Sequence, residues 1–296
     1  MTRLRIIIIV MLSCVLIATV LILKWGFEDP PVKATWVWSV PTASNDRNEM
    51  LGFAQEQGVT VIYLQVNRKS TDLEPYREFI EEAHRQGMEV EALGGDPRWG
   101  LSGYQQDIQS FVGWIEDYQR SAGEQAAFDG IHVDIEPYLL EDWKKDQEHV
   151  VRQWTDNMEY LVQEAKRNTS LRISADLPFW IHKISAPNSD TNLGAWMIER
   201  FDSIVLMNYR NFAVGSNGII ATALPMVQEG TRIGKPVIIG LETAPTNEGE
   251  HTTFFKEGTS SLNWQMRLSH NFLRRYSGYG GFSIHDYERW RETANS

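Results

Sequence analysis

Phe128-Asp-Gly-Ile-His-Val-Asp-Ile-Glu-Pro-Tyr138 is the stretch on which the reading of this chain turns. Alternate side chains of an extended strand point to opposite faces. Ile131, Val133 and Ile135 therefore face one way, and His132, Asp134 and Glu136 the other. Pro137 has no N–H to give a ladder, so the strand ends there. Two acids thus stand at the carboxyl end of a buried strand, roughly 6.6 Å apart at about 3.3 Å per residue. Burying carboxylates side by side is costly, through desolvation and mutual repulsion. A chain that keeps such a pair uses it, and paired carboxylates suit cleavage of a glycosidic bond.

Outward from this segment, strand and helix signals alternate without a break. Apolar runs of strand length lie near residues 35–40, 59–67, 88–93, 128–136, 171–177, 203–209, 236–243 and 280–286. Between them, stretches such as 72–85, 105–120, 150–167 and 262–276 carry apolar residues at three- and four-residue spacing, the mark of amphipathic helices. Eight strands with seven intervening helical segments and a short tail predict an α/β fold, the (β/α)8 TIM barrel over residues 34–296. An open doubly wound sheet is the alternative, but no Gly-rich phosphate loop follows the first strand. Several strands carry a polar face late in their length: Tyr63, Gln65 and Asn67; Ser174 and Asp176; Gly240 and Glu242; Gly281, Ser283 and His285. Active sites of these barrels lie at that end of the strands, so the convergence of several strands says more than any one motif.

The chain has 296 residues and is 42% hydrophobic, enough for one large core. Residues 6–23 hold no charge, with Arg3 and Arg5 before them and Lys24, Glu28 and Asp29 after. Such a run is at the short end of a membrane span, and the basic residues ahead of it favour an inside N-terminus. Residues 1–25 are thus expected to form a cytoplasmic tip and a single transmembrane helix, and 26–33 a linker, with the barrel outside at the cell membrane. A cleaved signal peptide and a lipoprotein at Cys14 are the rival readings; Lys24-Trp-Gly-Phe27 suits cleavage poorly, and the residues after Cys14 stay apolar. Cys14 is the single cysteine, which leaves the outer part without a disulfide or a thiol nucleophile. Setting aside Arg3, Arg5 and Lys24, 25 basic residues face 39 acidic ones. That surplus excludes a nucleic-acid partner held by long-range attraction. The histidines show no metal-ligand spacing, no Gly-x-Ser-x-Gly elbow appears, and no cofactor is expected.

Asp129-Gly-Ile-His-Val-Asp134-Ile-Glu136 resembles the fourth-strand signature Asp-x-x-Asp-x-Asp-x-Glu of the chitinase-like glycoside hydrolases, family eighteen. Met207-Asn-Tyr209 looks like that family's Met-x-Tyr element on the sixth strand. The resemblance implies a barrel that cleaves an N-acetylated glycan, here a carbohydrate of the cell envelope or surroundings. It makes Glu136 the general acid, Asp134 the carboxylate that orients the substrate's own acetamido group, and Tyr209 a hydrogen-bond donor to that group. That is substrate-assisted retention, an exception to the two-carboxylate rule. There are two departures. His132 stands where the signature has its middle Asp, and Ser283-Ile-His285 stands where the family has an eighth-strand Trp.

Two other readings stay open. A two-carboxylate retaining glycosidase would use Glu136 and Glu242, at the ends of the fourth and seventh strands, with carboxyls about 5 Å apart. A catalytically inactive glycan-binding barrel would keep the pocket and lose turnover. Eleven tryptophans favour a sugar ligand, since Trp36, Trp38, Trp99 and Trp180 fall at or beyond strand ends, where a ring could stack on a pyranose. The substrate-binding set is therefore Trp36, Gln65, Asn67, Trp99, Asp176, Trp180, Asn208, Arg210, Glu242 and His285. Arg210 suits an anionic substituent or a solvated ion pair. The Gly-, Glu- and Thr-rich stretch 244–260 suits a loop over the mouth.

Overall fold

The alternation read at residues 128–138 holds in space. Ile131, Val133 and Ile135 are buried in the large apolar layer between sheet and helices. His132 is fully buried on the opposite side of the strand. A computed structural model describes residues 30–294 of the chain. Eight parallel strands close in sequence order: β1 (Val32–Val37), β2 (Val61–Gln65), β3 (Glu89–Gly94), β4 (Gly130–Val133), β5 (Arg172–Pro178), β6 (Ser203–Met207), β7 (Val237–Glu242) and β8 (Tyr279–His285). Closure is by β8 on β1, with Val32 opposite Gly281. Gly281 has φ +119°, and a Cβ there would lie 2.1 Å from the Val32 carbonyl oxygen, so only glycine lets the seam close.

Helices follow the strands: α1 (Ser44–Glu56), α2 (Glu74–Arg85), α3 (Gln105–Ala122), a short α4 (Glu141–Lys145), α5 (Gln147–Asn168), α6 (Leu193–Arg200), α7 (Ile219–Ile233), α8 (Gly258–Leu273) and α9 (Tyr287–Ala294). The longest, α5, starts where the Asp146 side chain accepts from the His149 N–H at 3.0 Å, and Lys166 and Arg167 occupy its last turn. Cap and charges both oppose the helix dipole. Val150, Val151, Trp154, Met158, Leu161 and Ala165 form its buried stripe. Such stripes and the outward strand residues make the outer core. A second, smaller cluster fills the barrel itself: Ala34, Trp36, Val61, Tyr63, Leu93, Val205 and Ile238.

The TIM-barrel expectation stands, with boundaries corrected: the second strand ends at Gln65, short of Asn67, and the sixth at Met207, short of Tyr209. The first strand is 32–37, not 35–40, so it takes up the end of the expected linker 26–33. The reason is pairing: its register with β2 runs from Ala34 to Val37, and that with β8 from Val32 to Thr35. The fourth strand stops at Val133 rather than Glu136. Asp134 N–H still reaches the Gly94 carbonyl at 3.1 Å, and the chain then turns, with Glu136 at φ −113°, ψ 64°. The transmembrane expectation for residues 6–23 falls outside the described residues. Among those described, no helix is long and apolar enough to cross a membrane.

Candidate active site

Inward-facing side chains of β3, β4 and β5 build a buried polar chain beneath the barrel mouth. His132 lies stacked on Tyr63, ring centroids 3.8 Å apart and planes 13° from parallel. Its Nδ1 is 2.6 Å from Ser174 Oγ, and its Nε2 is 2.9 Å from Asp176 Oδ2. Ser174 Oγ donates in turn to Glu91. Trp36 Nε1 donates to the same Asp176 oxygen at 3.0 Å. A nitrogen and a carboxylate oxygen 2.9 Å apart must hold a proton between them, so the His132–Asp176 pair carries one. The carboxylate that His132 meets is thus Asp176, on the neighbouring strand.

Above this chain stand the two acids. Burial raises the pKa of Asp134, and the charges of Asp176 and then Glu136 raise it further. Asp134 Oδ1 is buried and has no partner among the described residues, and the same holds for Asp176 Oδ1. Glu136 is also raised above the ordinary carboxylate range, chiefly by burial, with Asp176 and Glu248 adding to it. The Tyr138 hydroxyl donates to Glu136 Oε2 and partly offsets the shift. Tyr209 sits in the same field: burial comes first, then Glu242, Asp176, Asp134 and Glu136 all hold its proton on. A phenol kept neutral by four carboxylates is a dependable donor. The charges of Glu242, Asp134 and Glu136 are thus all felt at Tyr209.

Glu242 is already engaged. Its Oε1 accepts from the Ala244 N–H at 2.7 Å and its Oε2 from His285 Nδ1 at 2.9 Å. Burial opposes charge on His285, but the hydrogen bond to Glu242 and the charges of Glu242, Asp286 and Asp176 outweigh it and raise its pKa.

Gly95 holds Asp134 in place from below. A Cβ at Gly95 would lie 1.8 Å from the Asp134 carbonyl oxygen, a backbone atom that cannot step aside alone. Gly95→Ala is expected to lower stability by about 2 kcal/mol, the usual scale of overpacking. It should also displace Asp134 and depress any turnover. A denaturation midpoint equal to that of the unsubstituted chain would show that this close approach does not matter.

The tryptophan expectations divide. Trp99 is not at the mouth: it is 4% exposed, within the outer core, with its ring 5.5 Å from that of Phe111. The turn after β3 points it toward the helix layer. Trp36 does face inward, but at 1% exposure it fills the barrel and spends its N–H on Asp176. No sugar face can reach it. Trp38, one repeat further along, takes the rim position; its Nε1 donates to Asp286 at 2.9 Å, and its ring meets His285 edge-on at 5.6 Å. It shares with Gln65 and Asn67 the wall of a cleft of about 470 Å³. Trp180 is partly buried, 5.1 Å from the Tyr138 ring, and so close to Glu136. Asn208 points away from the mouth: its amide donates to the Ile219 carbonyl at the start of α7. It follows directly on the end of β6 at Met207, and its side chain is fully buried.

Glu91, Tyr138 and the Trp38–Asp286 pair escape a reading by motif. The signal for Glu91 was present, since Glu89 and Glu91 alternate with Val90 and Ala92.

No protein-family model matches the chain, and no curated protein matches it. Solved structures do share its fold. The catalytic domain of a beta-amylase from Paenibacillus polymyxa is 9% identical over 87% of this chain and 92% of its own, with a TM-score of 0.55. A chitinase from Bacteroides thetaiotaomicron is 12% identical over 88% and 91%, TM-score 0.55. A plant class V chitinase mutant from Cycas revoluta, in complex with (GlcNAc)3, is 13% identical over 87% and 95%, TM-score 0.54. At such identities the likeness is one of fold.

Proposed function

We propose that the chain is a glycoside hydrolase acting on an N-acetylated glycan. The observation that carries this reading is the buried, unpartnered Oδ1 of Asp134, in a field shared with Glu136 and Tyr209. A buried acceptor without a donor is costly, and an acetamide N–H is a donor that fits it. Glu136, with its raised pKa, gives its proton to the glycosidic oxygen as that bond breaks. The acetamido carbonyl oxygen attacks the anomeric carbon and forms the cyclic intermediate. Asp134 accepts from the acetamide N–H, and Tyr209 donates to its oxygen. Glu136, now ionised, takes a proton from the water that opens the ring, which gives net retention. The (GlcNAc)3 complex of a chitinase with the same fold supports a substrate of this class.

The two-carboxylate alternative has less support. Both oxygens of Glu242 already accept a hydrogen bond, which draws charge from them and weakens either as a nucleophile. The raised pKa of Glu136 favours an enzyme over an inactive binder, because binding alone gains nothing from a protonated acid. Placement outside the cytoplasm, through an anchor at residues 6–23, belongs to this proposal and rests on the charges around that segment.

The test is hydrolysis of chitooligosaccharides of defined length. The expected result is a first-formed product with the substrate's anomeric configuration, and at least about 100-fold lower kcat/KM on the deacetylated analogues. Equal rates on acetylated and deacetylated sugars would reject the acetamido route.

A further inference from the structure

Arg210 is the cation nearest this acid cluster in sequence, one residue after Tyr209, and it is held unusually firmly for a rim arginine. Its Nε donates to Asn217 Oδ1 at 3.0 Å, and its Nη1 to the Tyr209 carbonyl at 2.5 Å. The guanidinium lies over the Phe179 ring, 4.6 Å from its centroid. Phe179 directly follows β5, and Trp180 comes next. Arg210 therefore spans the β5–β6 sector of the rim, where Trp180 meets Tyr138 and Tyr138 meets Glu136.

Held this way, it makes no ion pair with a described residue. Most of the described arginines do pair with a carboxylate, although Arg68 and Arg275 do not. The buried Arg47 and the partly buried Arg200 each hold a glutamate, at 2.8 and 2.6 Å. In a chain with 39 acidic residues, a partner was available. Glu248 is close enough for its charge to be felt by both Arg210 and Glu136, yet it closes no bridge. Partial burial lowers the Arg210 pKa, which is the sign of a cation giving up water without a carboxylate in return. Nη2 donates to no described residue, and a fixed fork with an open edge is the geometry that recognises carboxylate or phosphate.

We infer that Arg210 is a specificity residue that receives a carboxylate substituent of the glycan, so that the preferred substrate is an N-acetylated sugar carrying an acid group. This rests on the glycosidase reading and narrows its substrate class. Neutral chitin fragments then bind as the lesser ligands of the same mouth.

The experiment is calorimetric binding to the Glu136→Gln chain, which holds glycans without cleaving them. Two probes are compared, the disaccharide of N-acetylglucosamine and N-acetylmuramic acid, and N,N′-diacetylchitobiose. They differ chiefly in one lactyl carboxylate. The acidic disaccharide should bind at least about tenfold more tightly at low salt, and the preference should shrink as salt is raised. Adding Arg210→Gln should bring the two affinities within about twofold. Arg210→Lys should keep part of the preference, since it retains the charge but loses the fork. Equal affinities for the two probes, or a preference that survives Arg210→Gln, would overturn the inference and leave the glycosidase reading standing. If neither disaccharide binds, both fall together.

Discussion

Glu136→Gln is expected to reduce kcat on an acetylated chitooligosaccharide by about 10³-fold, within the usual range for a lost general acid, while leaving the fold intact. The second half follows from the sign of the pKa shift. Folding raises the Glu136 pKa above its ordinary value, chiefly through burial. Such a group adds stability that is fully present below its unfolded pKa and is lost as pH rises through the folded one. Above that raised value the ionised carboxylate is therefore no asset to the fold, and the amide should unfold no earlier there. The same shift sets the pH profile. The acid acts while protonated, so kcat should fall as pH rises through the elevated Glu136 value. Asp134 and Glu136 interact, so the limb belongs to the pair rather than to either residue. Thermal melting and a pH–rate profile of both proteins decide the matter. A variant that turns over normally would remove Glu136 from the role.

Asp176→Asn should have the next largest effect, and its signature is a displaced pH profile. The Asp176 charge raises the pKa of both Asp134 and Glu136. Without it both should fall, and the alkaline limb of kcat should move to lower pH. Turnover at neutral pH should drop by about 10²-fold, because less of the acid is protonated and Asp134 loses the support beneath it. The variant should also be less stable by about 2 kcal/mol. One carboxylate oxygen now accepts from both Trp36 and His132, and disturbing a buried hydrogen-bonded pair leaves a donor or acceptor unmet. A purely structural Asp176 would show the stability loss alone. An unmoved limb in the pH–rate profile would mean that Asp176 has no hand in the protonation of the pair.

The mouth was legible because strand geometry is local. A period of two puts His132 inside the barrel, and although the strand stops at Val133 the segment that carries Asp134 and Glu136 keeps the same alternation of burial. Glu242 closes β7 by the same rule, and Tyr209 comes two residues past the end of β6. The tryptophans were not legible in this way. Trp36 lies within β1 and Trp38 just past its end, and only where the strand stops decides which fills the interior and which meets the rim. Trp99 follows β3 by a few residues, and the path of a turn, not a period, sends it into the helix layer. Asn208 stood in the right motif but is fully buried.

The chain by itself determined that eight strands alternate with helices, and that one of them leads directly into two acids, because periodicity and proline act over a few residues. The tertiary structure alone decided who stands beside whom across the barrel. That His132 finds its carboxylate on β5, that Ser174 links it to Glu91, and that His285 occupies Glu242 all depend on the register between strands. Register is fixed by closure of the whole sheet, a constraint spread over every strand and written in none of them.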